Sequence, residues 1–333
     1  MTGTGRRRSG TTPSRRWLVA LMAGALALAG GIALVAHLGD VERFVTLAAR
    51  FSPRLLGLAV LLQAGTYACV ALAWWLSLRS GGATPRFGSL LRLSVAKLFI
   101  EQAVPAGGIS GTTFLLTALR RRGLPPRLGA DTVVTTLVSY YAAYLLMALI
   151  SLGLLAMQHE ATRWLVALTA LFAVVAVALP GGAAWMLRRG RRRVPRLLRR
   201  AAGITAWMGE LRAPPGTGPM RPLLLGQMFA AQLCVFLLDA ATLLALLAAL
   251  GEPAKVATAV PAFIVASMVA TLGPVPLGLG TFEASCAATL HALGVSLEGA
   301  VAAVLLLRGL TTWLPMLPGV WLVRRELAPA GKR

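Results

Sequence analysis

The sequence predicts an all-α polytopic membrane protein with about six full spans and two re-entrant helical hairpins, arranged as an inverted-topology repeat. Of its 333 residues, 57% are hydrophobic and only 13% are charged. This composition is too hydrophobic for a soluble domain, which could not bury so many apolar side chains. Two breaks rich in proline and glycine, at 105–111 and 276–283, interrupt the apolar pattern 171 residues apart. A duplicated membrane unit with a broken helix in each copy is typical of carriers with a central site.

Apolar runs of sufficient length identify the spans. A membrane helix needs about 20 apolar residues, and the runs that reach this length are 17–39, 55–78, 128–156, 163–187, 223–250 and 297–323. The stretches 87–119 and 256–293 are divided by the two breaks, so each is predicted to dip into the bilayer as a hairpin. Irregular backbone at that depth needs protein or a wet cavity around its amide groups.

The basic residues predict the orientation of the chain. Five arginines precede the first span, ten lie in the 188–222 linker, and four of the 33 basic residues follow the last span. By the positive-inside rule these three regions are cytoplasmic. The single span 163–187 between the two copies then inverts the second relative to the first. The first hairpin is predicted to enter from the cytoplasmic side and the second from the outer side.

This orientation gives the predicted domain organisation. A basic cytoplasmic N-terminus (1–16) precedes the transmembrane domain (17–323), and a short cytoplasmic tail (324–333) follows it. Within the transmembrane domain, repeat 1 covers 55–156 and repeat 2 covers 223–323. The arginine-rich linker that joins them is too short to fold by itself.

The net charge of +22 does not indicate a nucleic-acid partner. Nearly all of the excess lies on the predicted cytoplasmic flanks, where each basic residue attracts anionic lipid headgroups by about 1 kcal/mol. The three cysteines and three histidines lack the spacing of a metal site or a disulfide framework. The sequence also has no phosphate-binding loop or nucleophile motif, so we expect no enzyme activity and no cofactor.

An arginine inside the last span is the strongest functional candidate. Arg308 lies about eleven residues into the run, where a lipid-facing arginine costs at least about 2.5–3.5 kcal/mol. We therefore expect it to face the interior beside a carboxylate, with Glu283 as the first candidate partner and Asp239 as the second. One interpretation is a structural ion pair that fixes helix packing. The other is an anion-binding cation gated by a carboxylate, favoured by the adjacent helix break.

The breaks supply a second element that attracts anions. Ser110, after Gly107-Gly108, and Thr281, after Gly278 and Gly280, are each predicted to cap a half-helix. A helix N-terminus presents unpaired amide groups and about half a positive charge, which favours phosphate or carboxylate. Glycine allows the backbone to approach a ligand closely. The candidate substrate-binding residues are Arg308, Glu283, Pro276, Gly278, Gly280, Thr281, Gly107, Gly108, Ser110 and Asp239.

Two further polar groups have local explanations. A polar stripe of six residues lies on one face of a predicted span: Asp131, Thr135 and Ser139, with Thr132, Thr136 and Tyr140 one position further on. This stripe predicts either interhelical hydrogen bonds or the lining of a hydrated groove. Lys97 and Glu101, four residues apart before the first break, predict a local ion pair.

The second break and the span after it resemble the signature of the lysylphosphatidylglycerol synthase transmembrane-region family. This flippase-like family includes the membrane half of multiple peptide resistance factors. The residues that match its pattern are Pro276, Gly278, Gly280, Glu283, Gly294, Val295, Arg308 and the 315–319 segment. The first break and Gly123 resemble the counterpart in the first half, although many members have a Gly-Glu pair where this chain has Ser110-Gly111-Thr112-Thr113. The resemblance covers about residues 55–323.

The resemblance implies a bacterial or archaeal inner-membrane protein that translocates lipids. Fused members of the family carry a synthase domain that transfers lysine from tRNA, but only about ten residues follow the last span here, so we expect no such domain. We expect a flippase that moves an anionic or modified lipid by alternating exposure of a central anion site. The alternatives are a non-transporting partner of a lipid synthase or glycosyltransferase, and an ion-coupled carrier of a small anion.

Overall fold

A computed structural model describes residues 52–103, 109–189, 222–253, 255–273 and 275–327. These residues form helices and turns, and no strand occurs among them. Several predicted features lie outside the described residues: the N-terminus and first span (1–39), Pro105 with Gly107 and Gly108, most of the linker, and the last six residues.

The helices match the predicted spans closely. In chain order they are α1 (Pro53–Ser80), α2 (Phe87–Ala103), α3 (Ile109–Arg121), α4 (Pro126–Met157), α5 (Arg163–Arg189), α6 (Pro222–Ala249), α7 (Val256–Leu272), α8 (Thr281–Ala292), α9 (Leu297–Arg308) and α10 (Met316–Leu327). By length and composition, five helical units of the described chain can cross a membrane: α1, α4, α5, α6 and the continuous α9–α10 unit. These coincide with five of the predicted spans.

The two halves of the chain repeat the same order of elements. Helices α1, α2, α3 and α4 begin at residues 53, 87, 109 and 126, and helices α6, α7, α8 and α9 begin at residues 222, 256, 281 and 297. Each pair of starts is therefore 169 to 172 residues apart. Prolines open α1, α4 and α6, because the first turn of a helix needs no N–H donor from them. The duplication inferred from the two breaks thus extends to four helices in each half.

The equivalent helices α1 and α6 pack against each other in opposite directions. At one end, the N–H of Ser52 donates to the carbonyl of Ala249 at 3.1 Å. Toward the other end, Ala73 of α1 packs against Met228 of α6. The start of one helix therefore faces the end of its counterpart.

The α2–α3 unit is a hairpin whose two ends meet. The Arg122 guanidinium, directly after α3, donates to the Ser89 hydroxyl in the first turn of α2 at 3.2 and 3.3 Å. It also forms a 2.9 Å ion pair with Glu326 at the end of α10. After the break, the chain therefore returns to the end of the bundle from which α2 started.

The α7–α8 unit is a second hairpin, which opens at the opposite end. Ser296, after α8, donates its backbone N–H at 3.2 Å to the carboxylate of Glu252, which precedes α7. The side chain of Gln158, at the far end of α4, donates at 3.0 Å to the carbonyl of Ala257 in α7. Because α4 begins beside α3 and ends beside α7, the two hairpins open at opposite ends of the bundle.

The interior and the outer surface of the bundle are both apolar. One buried core surrounds Trp74 and contains side chains of α1, α2, α3, α4 and α10, and another surrounds Ile264 and contains side chains of α1, α4, α5, α6, α7, α8 and α9. On the outside, Leu61, Val177 and Leu317 are exposed to 71%, 68% and 76%. An outer face of this kind belongs in a lipid environment, which agrees with the length of the helices.

The polar stripe on α4 bonds partly to another helix. Ser77 of α1 donates to Thr132 at 3.0 Å and lies 3.3 Å from the hydroxyl of Thr135. The hydroxyls of Thr136 and Ser139 are buried without a hydrogen-bond partner among the described residues. Interhelical bonding therefore accounts for the first part of the stripe.

Candidate functional site

The second break consists of residues with left-handed backbone between α7 and α8. The φ angles of Leu277, Gly278 and Gly280 are 62°, 62° and 81°. A Cβ atom on Gly278 would lie 2.5 Å from the Cβ of Ala270 in α7, so only glycine fits there. Leu277 is not a glycine, and residues with a Cβ atom rarely adopt this left-handed conformation. The break is thus a strained, closely packed turn, a feature often found at functional sites.

The N-terminus of α8 is capped by a carboxylate. Glu283, in the first turn, accepts the N–H of Gly280 at 2.7 Å through Oε2. The predicted cap, Thr281, is wrong: the N-cap residue is Gly280, and the Thr281 hydroxyl is buried without a partner among the described residues. The reason is the φ of 81° at the N-cap, which glycine adopts easily and threonine does not.

Arg308 reaches from the end of α9 to this capped turn. Its Nε donates to Oε1 of Glu283 at 2.6 Å, and its Nη2 donates to the carbonyl of Leu277 at 3.1 Å. The two charged side chains are 14% and 21% exposed. The remaining guanidinium N–H groups have no hydrogen-bond partner in the described part of the chain. The first candidate partner predicted for Arg308 is therefore its actual partner.

An aromatic side chain supports the guanidinium. The ring centroid of Phe282 lies 5.1 Å from Cζ of Arg308, within the range of a cation–π contact. The same ring packs edge-on against Phe263 of α7, with centroids 5.9 Å apart. The sequence prediction missed Phe282, although its position directly before Glu283 was a usable signal.

A π-helical turn follows Arg308 directly. The turn covers Gly309–Trp313, and the N–H of Leu314 donates to the Gly309 carbonyl at 2.8 Å. Pro315, the next residue, has no N–H to continue the regular pattern and crowds the carbonyl four residues before it. Turns of this type are frequent at functional sites. The sequence prediction also missed this turn, for which Pro315 was the available signal.

Asp239 lies away from the ion pair. Its side chain is beside Gln63 of α1 and faces Tyr67 of the same helix. The second predicted partner of Arg308 is therefore wrong, because α6 directs this residue toward α1 rather than toward α9. It forms a separate polar group at the interface of the two halves.

The first half of the chain also places an ion pair beside its break. Lys97 donates to Glu101 at 2.5 Å, as the spacing predicted. A Cβ atom on Gly111 would overlap the Glu101 side chain, so this carboxylate lies against the first turn of α3. Ser110 is half-buried in the same turn. Each half thus places a carboxylate, paired with a basic side chain, at the start of the helix after its break.

The site at the second break, formed by Arg308 and Glu283, has the chemistry of an anion receptor. A guanidinium with N–H groups that no described residue accepts lies beside a helix N-terminus, and each of these favours a phosphate or carboxylate oxygen. Glu283 contacts both, with one carboxylate oxygen on each. Within the described residues no three His, Cys, Asp or Glu side chains are grouped so that they could hold a metal ion.

Comparison with models of protein families identifies a related family. The model of a family described as "Lysylphosphatidylglycerol synthase TM region" matches residues 19–319. This match includes both breaks, Glu283 and Arg308. A search of curated proteins finds no significant match.

Proposed function

Since this chain belongs to the lysylphosphatidylglycerol synthase transmembrane-region family, we propose that it moves a lipid with an anionic headgroup across the cytoplasmic membrane. The family links it to lipid modification or transport. The observation that carries the proposal is the guanidinium of Arg308 beside the broken helix of an apolar bundle, where some of its N–H groups have no acceptor among the described residues. A buried cation of this kind is costly and is normally retained for function.

The proposed mechanism exchanges one anion for another. In the resting state the Glu283 carboxylate neutralises Arg308 and caps α8. A headgroup phosphate offers stronger, bidentate hydrogen bonds to the guanidinium, so it takes the place of one Glu283 oxygen. When the phosphate leaves, Glu283 returns to Arg308. An internal carboxylate thus keeps the site from holding its lipid permanently.

Alternating access is proposed to come from an inverted repeat with two re-entrant hairpins. The antiparallel packing of α1 against α6 and the opposite openings of the two hairpins support this arrangement. Two halves of opposite orientation can exchange conformations, so that the site faces each side of the membrane in turn. The α7–α8 hairpin carries Glu283, and the α2–α3 hairpin carries the pair of Lys97 and Glu101.

The orientation proposed from the sequence agrees with the charges at the two ends of the bundle. The end at which the first hairpin opens holds most of the arginines of the described chain: Arg79, Arg86, Arg120, Arg121, Arg122, Arg127, Arg324 and Arg325. The opposite end has acidic and basic residues in mixture, including Glu160, Arg163, Glu252 and Lys255. By the positive-inside rule the first end is cytoplasmic, as are both termini.

Reconstitution tests the proposed activity. The purified chain is placed in liposomes that contain phosphatidylglycerol with a fluorescent acyl chain, and dithionite then bleaches the outer leaflet. We expect bleaching beyond the outer-leaflet fraction of protein-free liposomes. Release of entrapped radiolabelled phosphate distinguishes a carrier of small anions from a lipid translocase.

The outcomes separate the alternatives. Lipid movement without phosphate release supports the proposal, whereas phosphate release without lipid movement overturns it. If neither occurs, the chain is a non-transporting partner, and co-purification with a lipid synthase or glycosyltransferase then identifies its role. In the proposed function the chain itself catalyses no chemical reaction.

A further inference from the structure

A cluster of polar side chains crosses the interface between the two halves, apart from the Arg308 site. It consists of Gln63, Thr66 and Tyr67 on α1 and Asp239 on α6. Around it the helices pack closely, since a Cβ atom on Gly65 would lie 3.1 Å from the Leu238 side chain. Polar groups at such a helix interface within a membrane bundle require a structural or functional reason.

The orientation of the Gln63 amide is fixed by Thr66. The Thr66 hydroxyl donates to the backbone carbonyl of Gln63 at 2.7 Å, so it can only accept from the side chain. The Nε2 of Gln63 donates to it at 3.1 Å. Oε1 of Gln63 must therefore point elsewhere, and it is buried without a hydrogen-bond partner although the residue is only 5% exposed.

Three buried oxygens of the cluster lack partners among the described residues. They are Oε1 of Gln63, Oδ1 of Asp239 and the hydroxyl of Tyr67. Two of them, the amide and carboxylate oxygens, are acceptors that face a shortage of donors. Buried acceptors without donors are costly, and the O–H of Tyr67 can serve only one of these two, so a second donor hydrogen would stabilise the cluster.

No cation of the described chain neutralises Asp239. The titratable groups that face it are Tyr67 and Cys69 on α1 and Tyr140 on α4. The other helices packed against α6, which are α7 and α9, place no charged side chain against it. A buried carboxylate without a counter-ion is unstable and takes up a proton instead.

We propose that Asp239 is a proton-binding site at the interface of the two halves. Protonation forms an O–H bond at Oδ1, and this hydrogen is donated to an acceptor beside it, Gln63 Oε1 or the oxygen of Tyr67. One proton thus neutralises the charge and supplies the missing donor. A metal cation fits less well, because it requires a fuller shell of oxygen ligands than the three unpartnered oxygens.

The position of the site connects protonation to movement of the halves, and this consequence rests on the proposed function. The packed α1–α6 interface fits the neutral acid. When the proton leaves, the carboxylate needs water, and water enters only if the two helices separate. Proton uptake from one side and release to the other would then accompany each translocation cycle.

Infrared difference spectroscopy tests the proton site without transport. The full chain in phosphatidylethanolamine–phosphatidylglycerol liposomes is titrated with acid and base, and the carbonyl stretch of a protonated carboxyl is recorded. We expect one such band to disappear in Asp239→Asn, whose amide imitates the neutral acid. The band is retained in Glu160→Gln, which changes an exposed acid outside the cluster.

The results decide the proposal. Loss of the band in Asp239→Asn but not in Glu160→Gln, together with a shift of the band in Gln63→Leu, supports the site. The proposal is overturned if the wild-type spectra contain no band that depends on Asp239. It is also overturned if the Asp239 signal follows sodium concentration at constant pH.

A second measurement separates this inference from the proposed function. Translocation of fluorescent phosphatidylglycerol is measured with and without an imposed pH gradient. We expect the gradient to change the rate at least several-fold in the wild type and not in Asp239→Asn. If lipid is translocated at a rate that does not depend on the gradient, the proposed proton coupling is wrong and the proposed translocation is supported. If no lipid moves but the infrared band is present, the proton site stands and the proposed function is wrong.

Discussion

Glu283 joins two positive groups with its two carboxylate oxygens: Oε1 accepts from Arg308 at 2.6 Å, and Oε2 accepts from the N–H of Gly280 at 2.7 Å. The first contact links α9 to the broken helix, and the second caps α8. A ligand that replaces Glu283 at one of these two donors therefore also affects the contact with the other donor, because the same side chain makes both. This arrangement leads to the first two predictions.

Substitution of Arg308 is expected to abolish lipid translocation without loss of the protein from the membrane. Arg308→Ala removes the cation proposed to bind the phosphate but leaves Glu283 bonded to Gly280, and a span without a cation inserts more readily. Arg308→Lys is expected to retain part of the rate, because lysine keeps the charge but lacks the planar fork. The measurements are the dithionite assay and the amount of folded protein after detergent extraction. The opposite result, loss of folded protein that Glu283→Gln restores in the double variant, would make the pair purely structural.

Glu283→Gln is expected to slow the release of lipid. The amide oxygen still accepts the N–H of Gly280 and preserves the cap, but it no longer neutralises Arg308. Bound phosphatidylglycerol therefore meets no competing anion, so we expect more lipid to co-purify and the translocation rate to fall. Mass spectrometry of the purified chain counts the bound lipid. Unchanged co-purification with a normal rate would contradict the exchange mechanism.

Two glycines of the break form a matched pair for a test of close packing. Alanine at Gly280 meets no atom within 4 Å but must adopt a φ of 81°, which costs about 1–2 kcal/mol. Alanine at Gly278 has a similar backbone penalty and also overlaps Ala270, which adds about 1–3 kcal/mol. We therefore expect Gly278→Ala to unfold in detergent at a lower temperature than Gly280→Ala. Adding Ala270→Gly to Gly278→Ala should recover only the stability lost to the overlap and not the backbone penalty. Equal destabilisation by the two single variants would contradict this packing.

The antiparallel packing of α1 and α6 predicts a specific cross-link. Cys69 and Cys234 lie side by side across this interface, whereas Cys286 is buried in α8. Mild oxidation with copper phenanthroline is expected to join the first two, as peptide mass spectrometry after proteolysis will detect. Cys286→Ser should leave the product unchanged, and Cys69→Ser should remove it. A disulfide that involves Cys286 would show that the register of the helices is different.

Labelling of single cysteines tests the proposed orientation. In a cysteine-free background, a membrane-impermeant maleimide added to intact cells should reach Ala161→Cys and Lys255→Cys. It should miss Arg193→Cys and Gly216→Cys, because the arginine-rich linker cannot readily be placed on the outer face. Permeabilised cells provide the control for reactivity. Labelling of the linker in intact cells would overturn the proposed inversion of the repeats.

The sequence by itself determined where the described helices and the second break lie. A span needs about 20 apolar residues in one run, and this is a local property that can be counted along the chain. The second break was predictable for a similar reason, since proline and glycine act on their own backbone. The pairing of Arg308 with Glu283 also followed from local facts, because an intramembrane arginine needs a carboxylate and the nearest one begins the broken helix.

Only the tertiary structure decided which way the polar residues face. Asp239 was the second candidate partner for Arg308 in the sequence, but α6 turns it toward Gln63 on α1. Glu283 rather than Thr281 caps α8, since the N-cap backbone is left-handed and belongs to Gly280. The rotation of a helix about its own axis depends on its packing against neighbours that are distant in the chain, and the apolar length of a span contains no information about that rotation.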